Sequence, residues 1–192
     1  MAFALGETIE AIVLDEDDDL AQRARGGDSP AFDRLVRAHQ PRVIRFARHF
    51  LGDDTLAPDV SQNAFLALWF ALETYQPSGH FPAFLYRIVH RQCLMEARRR
   101  RSWRRLRAAL LSLPAPPSST PHESAVAAER AESLRAAVRT LPEEKRAVVL
   151  LRFVAEMGDA DIALALGIPE GTVKSRFHDA KSSLRRLLKE EE

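Results

Sequence analysis

The chain has 192 residues, 46% of them hydrophobic, with 28 Lys and Arg against 27 Asp and Glu, a formal net charge of +1. That balance excludes a uniformly basic packaging protein and an acidic disordered chain. It averages two opposed blocks: residues 1–19 hold seven acids (Glu7, Glu10, Asp15, Glu16, Asp17, Asp18, Asp19) and no base, while residues 87–107 hold nine arginines against Glu96 alone. The acidic head is either a solvated tail or a cover that folds back on Arg98–Arg107 and screens it. Aromatic residues are only 7% and glycines only eight, which disfavours a many-stranded β protein. The longest apolar run, residues 64–72, is nine long, well short of the roughly 18 that span a bilayer. The N-terminus has no positive region and no cleavage-like site, so a cytoplasmic location without membrane insertion is expected. Cys93 is alone, which excludes an intramolecular disulfide framework and a cysteine-based zinc site.

Punctuation then divides the chain. Asp18 to Arg25 reads as a first helix, and Ser29-Pro30 as an N-cap followed by proline at N1, opening a helix that Pro41 interrupts. A segment from Pro41 closes at Gly52; the next helix opens near Thr55 and runs to Leu72, and another covers Pro82 to about Leu110. Residues 112–122, SLPAPPSSTPH, hold four of the eleven prolines and read as a semi-rigid linker in the polyproline regime. Thr120-Pro121-His122-Glu123 has capping-box spacing and opens a helix to about Arg139; segments 142–155, 159–166 and 170–189 follow. No convincing period-2 stretch interrupts this pattern. The fold class expected is all-α, two small helical domains joined by a Pro-rich linker.

Residues 159–178 have the spacing of a helix-turn-helix. Ala163 permits two helices to cross closely, Gly167 ends the first of them in a left-handed conformation, and Val173 plugs the space between them. Ile162, Leu166 and Ile168 supply the remaining small core. The second helix carries Lys174, Arg176, Lys181, Arg185, Arg186 and Lys189 against Glu170 and Asp179, and its start presents Thr172, Lys174, Ser175 and Arg176, side chains suited to base edges and phosphates. The plainer alternative is a helical hairpin with a solvated basic face.

Three features mark the N-terminal half. The helix ending at Leu72 has Leu56, Val60, Ala64, Ala67 and Ala71 as an inward face, yet Phe65, Leu66, Leu68, Trp69 and Phe70 leave it apolar nearly all round. Such a helix is either the central core helix or keeps part of its surface for a protein partner. The segment ETYQPSGHF, residues 73–81, offers Tyr75, Gln76, Ser78 and His80 for stacking on and hydrogen-bonding to unpaired bases, or is a plain connecting loop. Residues 81–107 begin amphipathic, through Phe84, Leu85, Ile88, Val89 and Met95, and end as an arginine cluster around Trp103. Rings among arginines suit melted DNA; a solvated helix end or a membrane-surface patch are the alternatives. No nucleophile, paired catalytic carboxylates, phosphate loop or metal cluster stands out, and the six histidines (39, 49, 80, 90, 122, 178) lack ligand spacing, so neither enzymatic activity nor a cofactor is expected.

Taken in order, these residues resemble the extracytoplasmic-function (ECF) subgroup of the sigma-70 family of bacterial RNA polymerase sigma factors. The resemblance rests on DLAQRARGGDSPAFDRLVRAHQPRVIRFARHFLGD (19–53), DVSQNAFLALW (59–69), FPAFLYRIVHRQCLMEARRR (81–100), LPEEKRAVVLLRF (141–153) and DIALALGIPEGTVKSRFHDAKSSLRRLL (161–188). It implies an acidic N-terminal extension at 1–18, a region-two helical domain at 19–107, a linker at 108–121 and a region-four helix-turn-helix domain at 122–189. It further implies docking on the polymerase core (β′ and β subunits) through Asp59, Gln62, Asn63, Phe65, Leu66 and Trp69. Minus-ten promoter DNA would meet Tyr75, Gln76, Ser78, His80, Arg87, Arg91, Arg98, Arg99, Arg100, Arg101 and Trp103. Minus-thirty-five DNA would meet Thr172, Lys174, Ser175, Arg176, His178 and Lys181. An anti-sigma protein is the expected regulatory partner.

Departures bear on specificity. Pro58 and Asn63 replace usual acids, Phe84 replaces Trp, Arg91 replaces Asn and Glu96 replaces Asp. Asp179, at a position often basic, would repel phosphate or accept from a cytosine amino group. The expected function is promoter recognition and strand opening; the competing one is a sigma-like mimic that sequesters a regulatory protein without directing transcription.

Overall fold

The computed structural model describes residues 16–111 and 125–189, and every regular element among them is helical. In chain order these are α1 (Glu16–Arg25), α2 (Ser29–Leu51), α3 (Ala57–Ala71), a 3-10 turn (Leu72–Thr74), α4 (Phe81–Leu111), α5 (Ala125–Thr140), α6 (Glu143–Phe153), α7 (Asp159–Leu166) and α8 (Glu170–Lys189). The proline-rich linker, the capping box at Thr120 and the acids Glu7, Glu10 and Asp15 lie outside the described residues. No helix among those described is long and apolar enough to cross a membrane.

Four of the seven head acids belong to the fold. Glu16 pairs with Arg34 at 2.7 Å, Asp17 lies 2.9 Å from His39 Nε2, Asp19 pairs with Arg23 at 3.7 Å, and Asp18 is fully buried. Acids in a first helical turn also meet the positive end of the helix dipole. The expected boundary between residues 18 and 19 therefore falls inside α1, and the expected linker start at residue 108 falls inside α4, which runs to Leu111.

Two local expectations about α2 are corrected. Its N-cap is Asp28, whose Oδ1 accepts from the Ala31 amide at 3.0 Å, so Ser29 is already helical. The hydrogen bond from Arg23 and that amide hold the Asp28 carboxyl below the usual carboxylate range. Nor does Pro41 interrupt the helix: Leu35, His39, Val43, Phe46, Ala47 and Phe50 form one buried stripe across it. A mid-helix proline costs about 3 kcal/mol, which burial of Leu35, Val43 and two phenylalanines, at roughly 1.5–3 kcal/mol each, outweighs. The helix stops at Gly52, with φ 66°, where a Cβ would lie 2.7 Å from Arg139 Cδ.

The inward face of α3 is Ala57, Val60, Ser61, Ala64, Phe65 and Leu68, rotated from the Leu56–Ala71 face that the pattern suggests. Small residues on this side let α3 lie close to α2 and α4, the neighbours it packs against. Buried apolar side chains from α1–α4 and α5–α8 join in one cluster running from Leu20 to Val173. Across the seam, α4 packs on α7 and α2 on α5 and α6. Arg146 pins this seam: it donates to Phe50 O at 2.7 Å, to Leu141 O at 2.9 Å and to Arg139 O. Arg42 meets Glu156 at 2.8 Å on the same seam.

The turn between α7 and α8 follows the spacing. Gly167 is left-handed at φ 65°, the Ile168 amide donates to Ala163 O at 3.1 Å, and Val173 is fully buried. Replacing Gly167 with alanine is expected to cost about 1–2 kcal/mol, the penalty of placing a Cβ in that region, although no neighbour lies within 4 Å of it. Chemical denaturation of Gly167→Ala checks this; an unchanged midpoint would contradict it.

Stability should also fall on mild acidification. Burial, then Arg135, Arg48 and Arg45, push the His49 pKa below its ordinary 6.5, and burial pushes His90 down against the opposing pull of Glu143. The unfolded chain thus binds these protons more readily, so the contribution is present above pH about 6.5 and is lost as pH falls through the depressed folded values. Urea midpoints at pH 7.5 and 5.0 should show a drop that shrinks in a His49→Gln/His90→Gln variant; an equal drop would refute this origin.

Candidate nucleic-acid and protein interfaces

The first candidate surface is α3. Asp59, Gln62, Asn63, Leu66 and Phe70 recur at helical spacing on its outer side and are exposed, with Trp69 beside them. Leu66 is 54% and Phe70 70% exposed, and the Trp69 ring is held edge-on against Phe32 at 4.9 Å. Phe65, expected in this surface, is buried at 6% and points into the bundle, so it acts through packing rather than contact. Phe70 belongs to the surface although its sequence signal was only that of a generally apolar helix. An inward row of small residues opposite exposed large ones is the signal that separates the two sides.

The second is the loop between the 3-10 turn and α4. Gln76, Ser78 and His80 are exposed. Tyr75 is not: it is 5% exposed, its hydroxyl donates to Asp18, and its ring lies 4.6 Å from Phe84 and 5.7 Å from Phe81, centroid to centroid. Burial, reinforced by Asp18, pushes the Tyr75 pKa up, which keeps the hydroxyl a donor. Tyr75 therefore cannot stack on a base in this conformation, and the expectation that it does is corrected. His80 Nδ1 lies 2.7 Å from Asp161 of α7, and Arg87 donates to Leu164 O at 2.7 Å, so both meet the helix-turn-helix here.

The third is the basic length of α4, whose arginines divide into two sets. Arg99 pairs with Glu96 at 2.8 Å, Arg100 with Asp53 at 2.7 Å and Arg101 with Glu143 at 2.9 Å. Asp53 also accepts from Thr55 through hydroxyl and amide, and these bonds, with Arg100, hold its carboxyl below the usual range. Arg100 thus closes the turn between α2 and α3. Arg91, Arg98, Arg104 and Arg105 are exposed, with no carboxylate at ion-pair distance among the described residues. With Arg87, the residues Arg91, Arg98 and Arg105 share one helical face. Trp103, 63% exposed, stands beside this cluster.

The fourth is α8. Lys174, His178, Lys181 and Arg185 are spaced along one exposed stripe, with Ser175 next to it donating to Thr172 O at 3.1 Å. Thr172 and Arg176 are half-buried on the flank. Asp179 is held by Lys145 of α6 at 3.1 Å, so this pair offsets its charge instead of leaving it to oppose phosphate. No group of acidic, histidine or cysteine side chains among the described residues could hold a metal ion.

Residues 35–104 match the family described as Sigma-70 region 2, and residues 131–184 match Sigma-70, region 4. The ECF RNA polymerase sigma factor SigM of Mycobacterium tuberculosis is 34% identical over 163 residues, covering 84% of this chain and 79% of the relative. SigE of Mycolicibacterium smegmatis is 33% identical over 83% of this chain, which spans 62% of that relative's length. Among solved structures, CnrH in complex with the cytosolic domain of CnrY aligns with a TM-score of 0.71 at 27% identity, over 93% of this chain and 100% of that one. Two family matches in the right order, together with an ECF relative 34% identical and covered over 79% of its length, mean that the chain belongs to the ECF subgroup of the sigma-70 family of RNA polymerase sigma factors.

Proposed function

We propose that this chain docks on RNA polymerase core through the outer side of α3, with Asp59, Gln62 and Asn63 as the polar half and Leu66, Trp69 and Phe70 as the apolar half. Phe65 supports that face from beneath. The observation that carries this reading is the exposure of Leu66 and Phe70 together on a strongly apolar helix. A simple helix-turn-helix repressor has no use for such a surface, and large exposed apolar side chains grouped together mark partner sites. Residues 19–107, extended back to Glu16 and forward to the end of α4 at Leu111, act as region two; 122–189 act as region four; the proline-rich segment between them connects the two.

The DNA roles follow from which basic side chains are open. Arg91, Arg98, Arg104 and Arg105 hold the backbone near the melting junction, with Trp103 available to stack. Gln76, Ser78 and His80 address an unpaired base of the minus-ten element. Binding energy, not covalent chemistry, offsets an unstacking cost of a few kcal/mol. Lys174, Ser175, His178 and Lys181 meet the minus-thirty-five duplex, Thr172 and Arg176 flanking them. Because His80 and Arg87 meet α7 in this structure, engaging minus-ten DNA through them requires α7 to leave α4. Tethering two weak readers then raises the effective concentration of each. The chain is a cytoplasmic, non-enzymatic initiation subunit with an anti-sigma protein as its regulatory partner; the solved structure of CnrH that it resembles is likewise bound by a protein, the cytosolic domain of CnrY. A sequestering mimic is disfavoured because both basic faces are retained.

Two measurements test these roles. Leu66→Glu with Phe70→Glu should weaken binding to purified core polymerase by at least about tenfold, the effect of losing roughly 1.4 kcal/mol, with helicity unchanged; undiminished affinity would remove α3 as the docking face. Lys174→Ala with Lys181→Ala should reduce duplex affinity and flatten its dependence on log salt concentration by about two units, near one per lost phosphate contact; an unaltered slope would place these lysines off the DNA.

A further inference from the structure

Asp18 is the most enclosed carboxyl group among the described residues, with no exposed surface. Its two oxygens are filled by three donors from one segment sixty residues away: the Tyr75 hydroxyl on Oδ1, and the backbone amides of Ser78 at 2.9 Å and Gly79 at 2.6 Å on Oδ2. Arg25, also on α1, donates to Tyr75 O at 3.2 Å. The Tyr75 ring is wedged against Phe81 and Phe84 at the start of α4. The segment is thereby gripped from inside at both ends, while Gln76 and Ser78 are exposed and His80 beyond them meets Asp161 of α7. Gly79, at φ 74°, turns the backbone so that consecutive amides face one carboxylate.

We infer that Asp18 is a positioning residue for promoter opening: it fixes the backbone of residues 75–79 in the conformation that receives an unpaired base. The inference rests on the proposed reading of this loop as the base-binding segment. Its physical content is preorganisation. A free loop of this length would lose its conformational entropy on capturing a base, weakening that capture and blurring the geometry that separates one base from another. Here folding of the chain fixes the loop before DNA arrives. Asp18 touches no nucleic acid in this arrangement; it acts through Tyr75, Ser78 and Gly79. The role also accounts for an acid inside a buried helix face otherwise made of Leu20, Ala21 and Ala24.

The test uses the full chain bound to core polymerase, comparing the unaltered protein with Asp18→Ala, Asp18→Asn and Tyr75→Phe. The probe is single-stranded DNA with a randomised six-base window, read as affinity and as selected base preference. Amide hydrogen exchange at residues 76–79 is read in parallel. Asp18→Ala should speed exchange at Ser78 and Gly79 by about tenfold or more, the equivalent of one charge-assisted hydrogen bond, and flatten preference at one window position. Asp18→Asn, which keeps one acceptor oxygen, should restore part of both, and Tyr75→Phe should lose part of both without the folding risk of an emptied buried site. Core-polymerase affinity and binding to duplex DNA through α8 should not change. Unaltered exchange in Asp18→Ala would overturn the clamp itself. Faster exchange with full base preference would overturn its role in positioning while sparing the base-binding loop. Absence of any base preference in the unaltered protein would overturn the loop reading and the inference together.

Discussion

A carboxyl group sealed from water must be met by donors or it destabilises the fold. Asp18 meets that demand by drawing the start of α1 onto the connection between α3 and α4. That contact holds the loop against α1 and sets Phe81, at the start of α4, against the Tyr75 ring, while Glu16–Arg34 and Asp17–His39 join α1 to α2. The side of α4 proposed to face DNA depends on where that helix begins, since Arg87, Arg91, Arg98 and Arg105 inherit their common face from it. Structure and proposed function therefore share one hinge point, a buried acid in the first helical turns.

Charge in this chain sorts by whether it has an internal partner. The arginine block looks uniform as a string, yet Arg99, Arg100 and Arg101 satisfy Glu96, Asp53 and Glu143, and Arg87 satisfies a backbone carbonyl. Exposed pairs of this kind contribute little stability individually, but they orient the long side chains and separate fixed cations from unpaired ones. Among the described residues, Arg91, Arg98, Arg104 and Arg105 have no carboxylate at ion-pair distance. Among the head acids, Glu16, Asp17, Asp18 and Asp19 are likewise engaged within the fold.

Helix periodicity made the all-α class legible, and the Ala163, Gly167 and Val173 spacing made the helix-turn-helix legible, because both depend on neighbours close in sequence. What was hidden depends on distant residues. Pro41 reads as a break when only local preference is weighed, and the stripe from Leu35 to Phe50 overrides it through tertiary burial. Tyr75 reads as a stacking ring until Asp18, far upstream, takes its hydroxyl. Phe65 and Phe70 are chemically alike, and only the packing of α3 against α2 and α4 sends one inward and the other out. Asp179 reads as a phosphate-repelling acid until Lys145 is placed beside it. The packing of α7 on α4 has no local signature at all: its contacts join His80 to Asp161 and Arg87 to a carbonyl, groups that carry other roles as a string.

One chain thus carries an open apolar face, a gripped loop above an arginine-lined helix, and a basic recognition helix, the three surfaces a promoter-specificity subunit needs. The most direct measurement of that account is run-off transcription with purified core polymerase on a library of genomic promoter fragments, with and without this chain. Adding the chain should produce initiation at discrete start sites on a subset of fragments. Core binding that stays intact while no fragment ever yields specific initiation would contradict it.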